Sequence, residues 1–249
     1  MTDMKRPLLI ALLLLPLVLQ AQNHQYIPDT AALVVDRYLG MLNHEQLPAD
    51  SMLVIETDIT IYGVDDTLRM RRWYAQPEQF RVEVRYHGQL ETGLVTDGVH
   101  RFREYMPEAK DWAFAREYKL RRKLSGYDFR GPLYNWRASS DQLTYLGKAT
   151  IDGSAPLDVV KVESNGRYTR LYMFEPSGLL AFIIETDEHG VDVTEDDGSH
   201  IDWKCIHEYQ PVGNCLVPSQ ESFLRGDAIT VMTSRCRLEP YNESIFKQD

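Results

Sequence analysis

Three cysteines, seven histidines and one run of carboxylates are the residues of this 249-residue chain that could do chemistry. Cys205, Cys215 and Cys236 lack the close Cys-x₂₋₄-Cys pairs of a structural zinc site. They read instead as thiols, one of which is left over by the odd count. The histidines are scattered singly. Only His207 adjoins a carboxylate, Glu208, and adjacent strand residues point to opposite faces, so the two do not converge. The stretch from Asp187 to Gly198 suggests a calcium loop. Counted from Asp192, however, the loop's glycine falls on Asp197 and its closing glutamate on Trp203. The run is a solvated hairpin loop. There is no nucleophile elbow, paired-histidine zinc motif, phosphate loop or dinucleotide fingerprint. No catalytic residue, metal or cofactor is expected, and the chain is not read as an enzyme.

Two other groups stand out. Lys119, Arg121, Arg122 and Lys123 are basic in an acidic chain of net charge −10. They fit a helix C-terminus favoured by the macrodipole, or a docking patch for an acidic partner or lipid head group. Trp73, Tyr74, Trp112, Phe114, Tyr118, Tyr127, Phe129, Tyr134 and Trp136 form the second group. A filled core and a cavity for a long apolar ligand need the same residue types, since each gains about 0.8 kcal/mol per methylene removed from water.

The elements that must position these residues are mostly strands. Met1 to Ala21 carries Lys5 and Arg6, an apolar run from Leu8 to Leu19 and a small-residue end, the pattern of a cleavable signal peptide. Residues 22–249 then form one domain. With 43% hydrophobic and 26% charged residues it is globular, and its acidic balance excludes an unassisted nucleic-acid binder. No second stretch reaches membrane-spanning length. A helix with Asp29 as N-cap carries Ala32, Val35, Leu39 and Leu42 at helical spacing. Beyond it, Leu53 to Ile61, Phe80 to Tyr86 and Tyr168 to Phe174 alternate as strands. Turns follow at short intervals, among them His87-Gly88, Asn165-Gly166, Pro176-Ser177-Gly178 and Gly226-Asp227. About eleven or twelve strands fit, paired antiparallel as a meander. The meander breaks at a helix over Arg116 to Leu124, preceded by a segment, Pro107 to Ala115, that fits either helix or strand. An aromatic loop or short helix, Phe129 to Trp136, follows. The expected fold is mostly β with two or three helices: a curled antiparallel sheet, a half-open barrel, under a helical lid.

Five stretches carry a family resemblance. Tyr74-Ala75-Gln76-Pro77-Glu78-Gln79-Phe80-Arg81-Val82-Glu83 is similar to a "Pro-x-x-Phe-Arg-x-Glu" hairpin, and Thr96-Asp97-Gly98 to an "Asp-Gly" turn. Phe129-Arg130-Gly131-Pro132-Leu133 is similar to a "Gly-Pro-Leu" segment. Tyr145 to Gly153 resembles "Leu-Gly-x-x-x-Val-Asp-Gly", and Tyr209 to Glu221, with Pro218, a "Tyr-x-x-Val-x-Gly-x-x-x-Pro" hairpin. In this order they resemble the outer-membrane lipoprotein-sorting (LolA/LolB-like) family. Phe102 replaces a frequent Trp, and Gly213-Asn214 a second Asp-Gly. The resemblance implies an unclosed barrel with helices over its mouth. It implies a periplasmic carrier for lipoprotein acyl chains or other lipids. The alternative is a non-enzymatic structural or interaction module of the cell envelope with a protein partner.

Strand parity selects the candidate cavity residues. Leu53, Ile55, Ile59, Ile61, Phe80, Val82 and Val84 are expected to line the concave face, with Trp112, Phe114 and Tyr118 closing it from the lid. Parity also addresses the cysteines. A hairpin centred on Gly226-Asp227 sets Cys215 and Cys236 on one face, and one centred near Pro211-Val212 sets Cys205 on the other. A bridge, if present, joins Cys215 to Cys236, unless a one-residue bulge reverses the parity.

Overall fold

The computed structural model describes residues 28–76, 78–98, 101–116, 127–138, 141–151, 154–164, 168–186, 203–225 and 228–247. The expected signal peptide, most of the helix expected over Arg116 to Leu124 with Tyr118 and its basic cluster, the acidic run, and the turns expected at Asn165-Gly166 and Gly226-Asp227 lie outside the described residues.

The first element is helix α1, Pro28–Leu42. Strands follow as β1 (Ser51–Ile61), β2 (Thr67–Ala75), β3 (Gln79–Tyr86), β4 (Gln89–Thr96), β5 (Phe102–Met106) and β6 (Asp111–Phe114). Then come β7 (Gln142–Ala149), β8 (Leu157–Ser164), β9 (Tyr168–Phe174) and β10 (Leu180–Thr186). The last three are β11 (Trp203–Val212), β12 (Cys215–Arg225) and β13 (Ala228–Pro240). The described residues thus hold thirteen strands, against the eleven or twelve expected, and one α-helix, against two or three. The ambiguous Pro107–Ala115 segment contributes the strand β6, and the aromatic stretch a single 3₁₀ turn, Pro132–Asn135.

The chain divides into two compact units. One combines the described residues up to Gly40 with Arg137–Trp203. Its strands run β10-β9-β8-β7, all antiparallel. Leu157, Val159, Met173 and Ala181 cluster on one side of them. The helix buries Val35 and Leu42 as the spacing predicts, together with Ala31 and Tyr38, whereas Ala32 and Leu39 are only partly buried. The Tyr38 ring meets Phe174 edge-on at 5.6 Å. The helix begins at Pro28, so Asp29 falls inside the first turn, where proline's missing N–H is harmless.

The other unit combines Met41–Trp136 with Lys204–Asp249. Its order is β6-β5-β4-β3-β2-β1-β13-β12-β11, antiparallel throughout the described pairings. Local turn chemistry sets most of this order. Between β3 and β4 both turn residues have positive φ, His87 at 48° and Gly88 at 79°, the twist that a two-residue hairpin requires. The pairing of β1 with β13, Leu53 opposite Leu238 and Ile55 opposite Cys236, has no local signal.

Strand alternation gives this unit two chemically distinct faces. On the Val82 face, Leu53, Ile55, Tyr74, Phe80, Val82, Leu94 and Phe102 form one buried cluster. On the opposite face, Met52, Val54, Trp73 and Ala75 are covered by Phe246 after β13. Beyond that patch the opposite face is a charge ladder. Arg237 reaches Glu56 at 3.0 Å and Glu239 at 2.6 Å, and Arg71 reaches Glu56 at 3.3 Å. Arg85 meets Glu83 at 2.8 Å, and Arg81 ion-pairs with the same carboxylate. The partly exposed pairs to Glu56 and Glu239 add little stability individually but keep a strand face polar, whereas Glu83 is buried between its two arginines.

Candidate functional site

The Val82 face of the second unit carries an apolar cluster interrupted by charge. Leu53, Ile55, Phe80 and Val82 are buried together there, with Ile59 and Val84 packed against them. Ile61 shares the parity but is half-exposed and lies outside the cluster. Trp112 and Phe114 are not on this face. Arg81 pairs with Val95, Val95 with Arg103 and Arg103 with Phe114, while Tyr105 pairs with Trp112. All therefore share the charged face, and Phe114 is 78% exposed. The expectation that they close the cavity is corrected by strand β6, whose alternation carries both rings to the far side.

The segment that does cover the Val82 face is Tyr127–Phe129. Arg72 Nη1 donates to the Tyr127 carbonyl at 3.0 Å, and the Tyr74 hydroxyl donates to the same oxygen at 2.9 Å. The Phe129 N–H in turn donates to the Tyr74 hydroxyl at 3.0 Å. Burial pushes the Tyr74 hydroxyl far above its ordinary range. Asp128 is held by Arg130 through two contacts, at 2.9 and 2.7 Å, and the Arg130 guanidinium lies 3.9 Å from the centre of the Tyr134 ring.

Beneath this segment lies a void of about 120 Å³. Ile59, Met70, Phe223, Met232 and Pro218 supply its apolar wall, and Arg72, Asp128, Lys204 and Glu221 its charges. Arg72 is 4% exposed and Glu221 3% exposed. Lys204 ion-pairs with Glu221 and lies over the Phe223 ring at 5.1 Å. Arg72 Nη2 donates to Thr57 Oγ1 at 3.2 Å, and that hydroxyl meets Ser234 Oγ at 2.9 Å. Arg72 Nε is buried with no acceptor among the described residues.

Of these groups the strand reading named Ile59 alone, although it placed Tyr127 and Phe129 among the aromatics. A signal for Arg72 was present: in Leu68-Arg69-Met70-Arg71-Arg72-Trp73-Tyr74 it occupies the parity of Leu68, Met70 and Tyr74. A charge on an apolar parity marks a buried ion.

The three cysteines are free and buried. The β12–β13 register follows the expected centre at Gly226-Asp227, with Gln220 opposite Thr233. The preceding turn is Gly213-Asn214, not Pro211-Val212; Gly213 adopts the left-handed φ of 59° that glycine accepts without a Cβ clash. Cys215 points to the end of α1, its Sγ 3.3 Å from the Asn43 carbonyl, whereas Cys236 sits in the cluster opposite Ile55. No bridge joins them. Cys205 lies 3.6 Å from His207 Nδ1, and His207 Nε2 lies 2.8 Å from Ser222 Oγ. The trio resembles a nucleophile relay in outline only. Burial pushes the Cys205 thiol up to about 11, so it is protonated near neutrality and a poor nucleophile.

Among the described residues no helix is long and apolar enough to cross a membrane. No family sequence model matches the chain, and no curated protein matches it in sequence. Solved structures do match. A LolA superfamily protein from Nitrosomonas europaea is similar with a TM-score of 0.57 at 14% identity, over 88% of this chain and 98% of the other. A DUF1329 family protein from Desulfovibrio piger gives 0.55 at 10% identity, over 88% and 97%. A domain described as outer membrane lipoprotein-sorting, from Vibrio parahaemolyticus, gives 0.53 at 10%, over 86% and 97%. The chain shares the fold of these three solved structures.

Proposed function

We propose that this chain is a periplasmic, non-enzymatic carrier that takes lipoprotein acyl chains or other lipids onto the Val82 face of its second unit. The observation that carries the reading is the void that persists under Tyr127–Phe129, walled by Ile59, Met70, Phe223 and Met232. Apolar wall of this kind binds by removing methylene surface from water. The export signal at residues 1–21 and the fold shared with lipoprotein-sorting proteins support the compartment and the ligand class.

The covering segment is held by a few hydrogen bonds to Arg72 and Tyr74. Its displacement would lengthen the void along Leu53, Ile55, Phe80 and Val82. That step is required. At about 120 Å³ the void is below the roughly 300–1,000 Å³ of ordinary small-molecule sites.

The same small volume favours a second reading, an envelope interaction module whose interior is filled by its own side chains and which engages a protein partner. Native mass spectrometry of the gently purified chain, before and after incubation with long-chain lipids, separates the two. Co-purifying or acquired lipid supports the carrier. Absence of both, with a cross-linked envelope protein recovered instead, supports the module and overturns the carrier.

A further inference from the structure

Among the described residues, counting the charges around the void leaves one unmatched. Lys204 is neutralised by Glu221, and Asp128 is neutralised by Arg130. Arg72 forms no ion pair with a described carboxylate. Its two terminal nitrogens contact neutral oxygens, the Tyr127 carbonyl and the Thr57 hydroxyl. The guanidinium thus places a full positive charge in the wall of the void. Its Nε–H is a buried donor with nothing to donate to among the described residues. Buried charges are ordinarily paired, and a lone one is strongly unfavourable.

We propose that the void is the head-group end of a ligand site, and that the ligand is an anionic amphiphile, a fatty carboxylate or an alkyl phosphate. The anionic group lies beside the Arg72 guanidinium in the wall of the void and completes the charge balance. The first methylenes run along Ile59, Met70, Phe223 and Met232. At about 120 Å³ the void has room for a carboxylate or phosphate but not for a long chain. The remainder of the chain enters the space opened by Tyr127–Phe129. A neutral head group would leave the Arg72 charge unmatched, so the site discriminates against it. The inference rests on the carrier reading and narrows its ligand class.

The test is calorimetric titration of the purified chain with four probes: dodecanoate, dodecyl phosphate, dodecanol and inorganic phosphate. The expected result is that one or both anionic amphiphiles bind about tenfold or more tightly than dodecanol, as one charge-assisted hydrogen bond in a buried site supplies. Inorganic phosphate alone should bind far more weakly than dodecyl phosphate. In Arg72→Gln the preference for anion over alcohol should fall to about twofold or less, whereas Arg72→Lys, which keeps the charge, should retain part of it. If the Gln variant does not fold by circular dichroism, the Lys variant and the four-probe comparison on the unmodified chain still decide. Equal binding of dodecanoate, dodecyl phosphate and dodecanol overturns the head-group proposal and leaves the carrier reading standing. Inorganic phosphate binding as tightly as dodecyl phosphate makes the ligand a free anion and overturns the amphiphile. No binding of any probe overturns both.

Discussion

The hydroxyl of Tyr74 accepts the backbone N–H of Phe129 at 3.0 Å, while the two rings meet edge to face at 4.6 Å. One strand residue thus fixes both the backbone and the side chain of the segment over the void. Tyr74→Phe preserves the ring contact but strands the Phe129 N–H and removes one donor from the Tyr127 carbonyl. Each buried group left unsatisfied costs roughly 1–3 kcal/mol. Hydrogen exchange should report faster exchange at the Phe129 amide in this variant, with the β1–β2 amides unchanged. Equal protection would mean the segment is held by its rings alone.

Val82 is fully buried between Arg72 on β2 and Leu94 on β4. A lysine there would join Arg72 as a second unmatched cation on the same face. Val82→Lys should lower stability by about 3 kcal/mol or more, the scale of an uncompensated buried charge. Lysine at the exposed Val231 of β13 should be nearly silent by comparison. Chemical denaturation of the two variants tests whether the parity places Val82 inward.

Glu83 sets a pH dependence. Burial alone would raise its pKa, but hydrogen bonds and charge from Arg85 and Arg81 outweigh it and hold the carboxyl below its ordinary value. A depressed folded-state pKa means the unfolded chain binds the proton more readily. The contribution is therefore present above about pH 4.3, the unfolded glutamate value, and is lost as pH falls through the lower folded value. Glu56, depressed through its hydrogen bond from Arg237, acts in the same sense. The unmodified chain should lose stability across this acid window, and Glu83→Gln should show a shallower loss there. Parallel curves would remove Glu83 from the balance.

Much of the fold was legible because it is local. His87-Gly88 and Gly226-Asp227 fixed two hairpins, and alternation put Leu53, Ile55, Phe80 and Val82 on one face. What escaped is what locality cannot carry. The pairing of β1 with β13 joins residues at opposite ends of the chain, with Ile55 beside Cys236. Trp112 and Phe114 have the composition of cavity residues, but the register of two intervening strands decides their face, and it sends them to the charged side. Arg72 was visible as an anomaly of parity, yet its partners at Tyr127 and Thr57 come from distant segments.

The cysteines are expected to behave as three independent buried thiols. Burial raises Cys205 and Cys236 to about 11 each and also raises Cys215. The thiolate is the reactive form, so alkylation of the folded chain should be slow at neutral pH and accelerate only toward strongly alkaline pH. Denaturation without reductant should release three reactive thiols. Mass spectrometry that finds one thiol and a Cys215–Cys236 linked peptide would overturn this.

Gly93 and Trp112 make the sharpest packing prediction. Gly93 lies on β4 opposite Glu83, and a Cβ there would stand 2.5 Å from Trp112 Cη2 and 3.0 Å from Tyr105 Cβ. The indole therefore lies across the bare glycine backbone, edge-on to Tyr105 at 5.7 Å and with the Arg81 guanidinium 5.2 Å from its ring centre. Glycine in a strand is ordinarily a loss of roughly 0.5–1 kcal/mol against alanine. Here the sign should reverse. Gly93→Ala in the unmodified chain must push the indole off the sheet, an overpacking penalty of about 1–3 kcal/mol. In a Trp112→Ala background the same change should cost clearly less, leaving only the 3.0 Å approach to Tyr105 Cβ. A double-mutant cycle read by thermal or chemical denaturation measures the coupling directly. A Gly93→Ala effect that is the same in both backgrounds would show that the ring does not rest on this glycine.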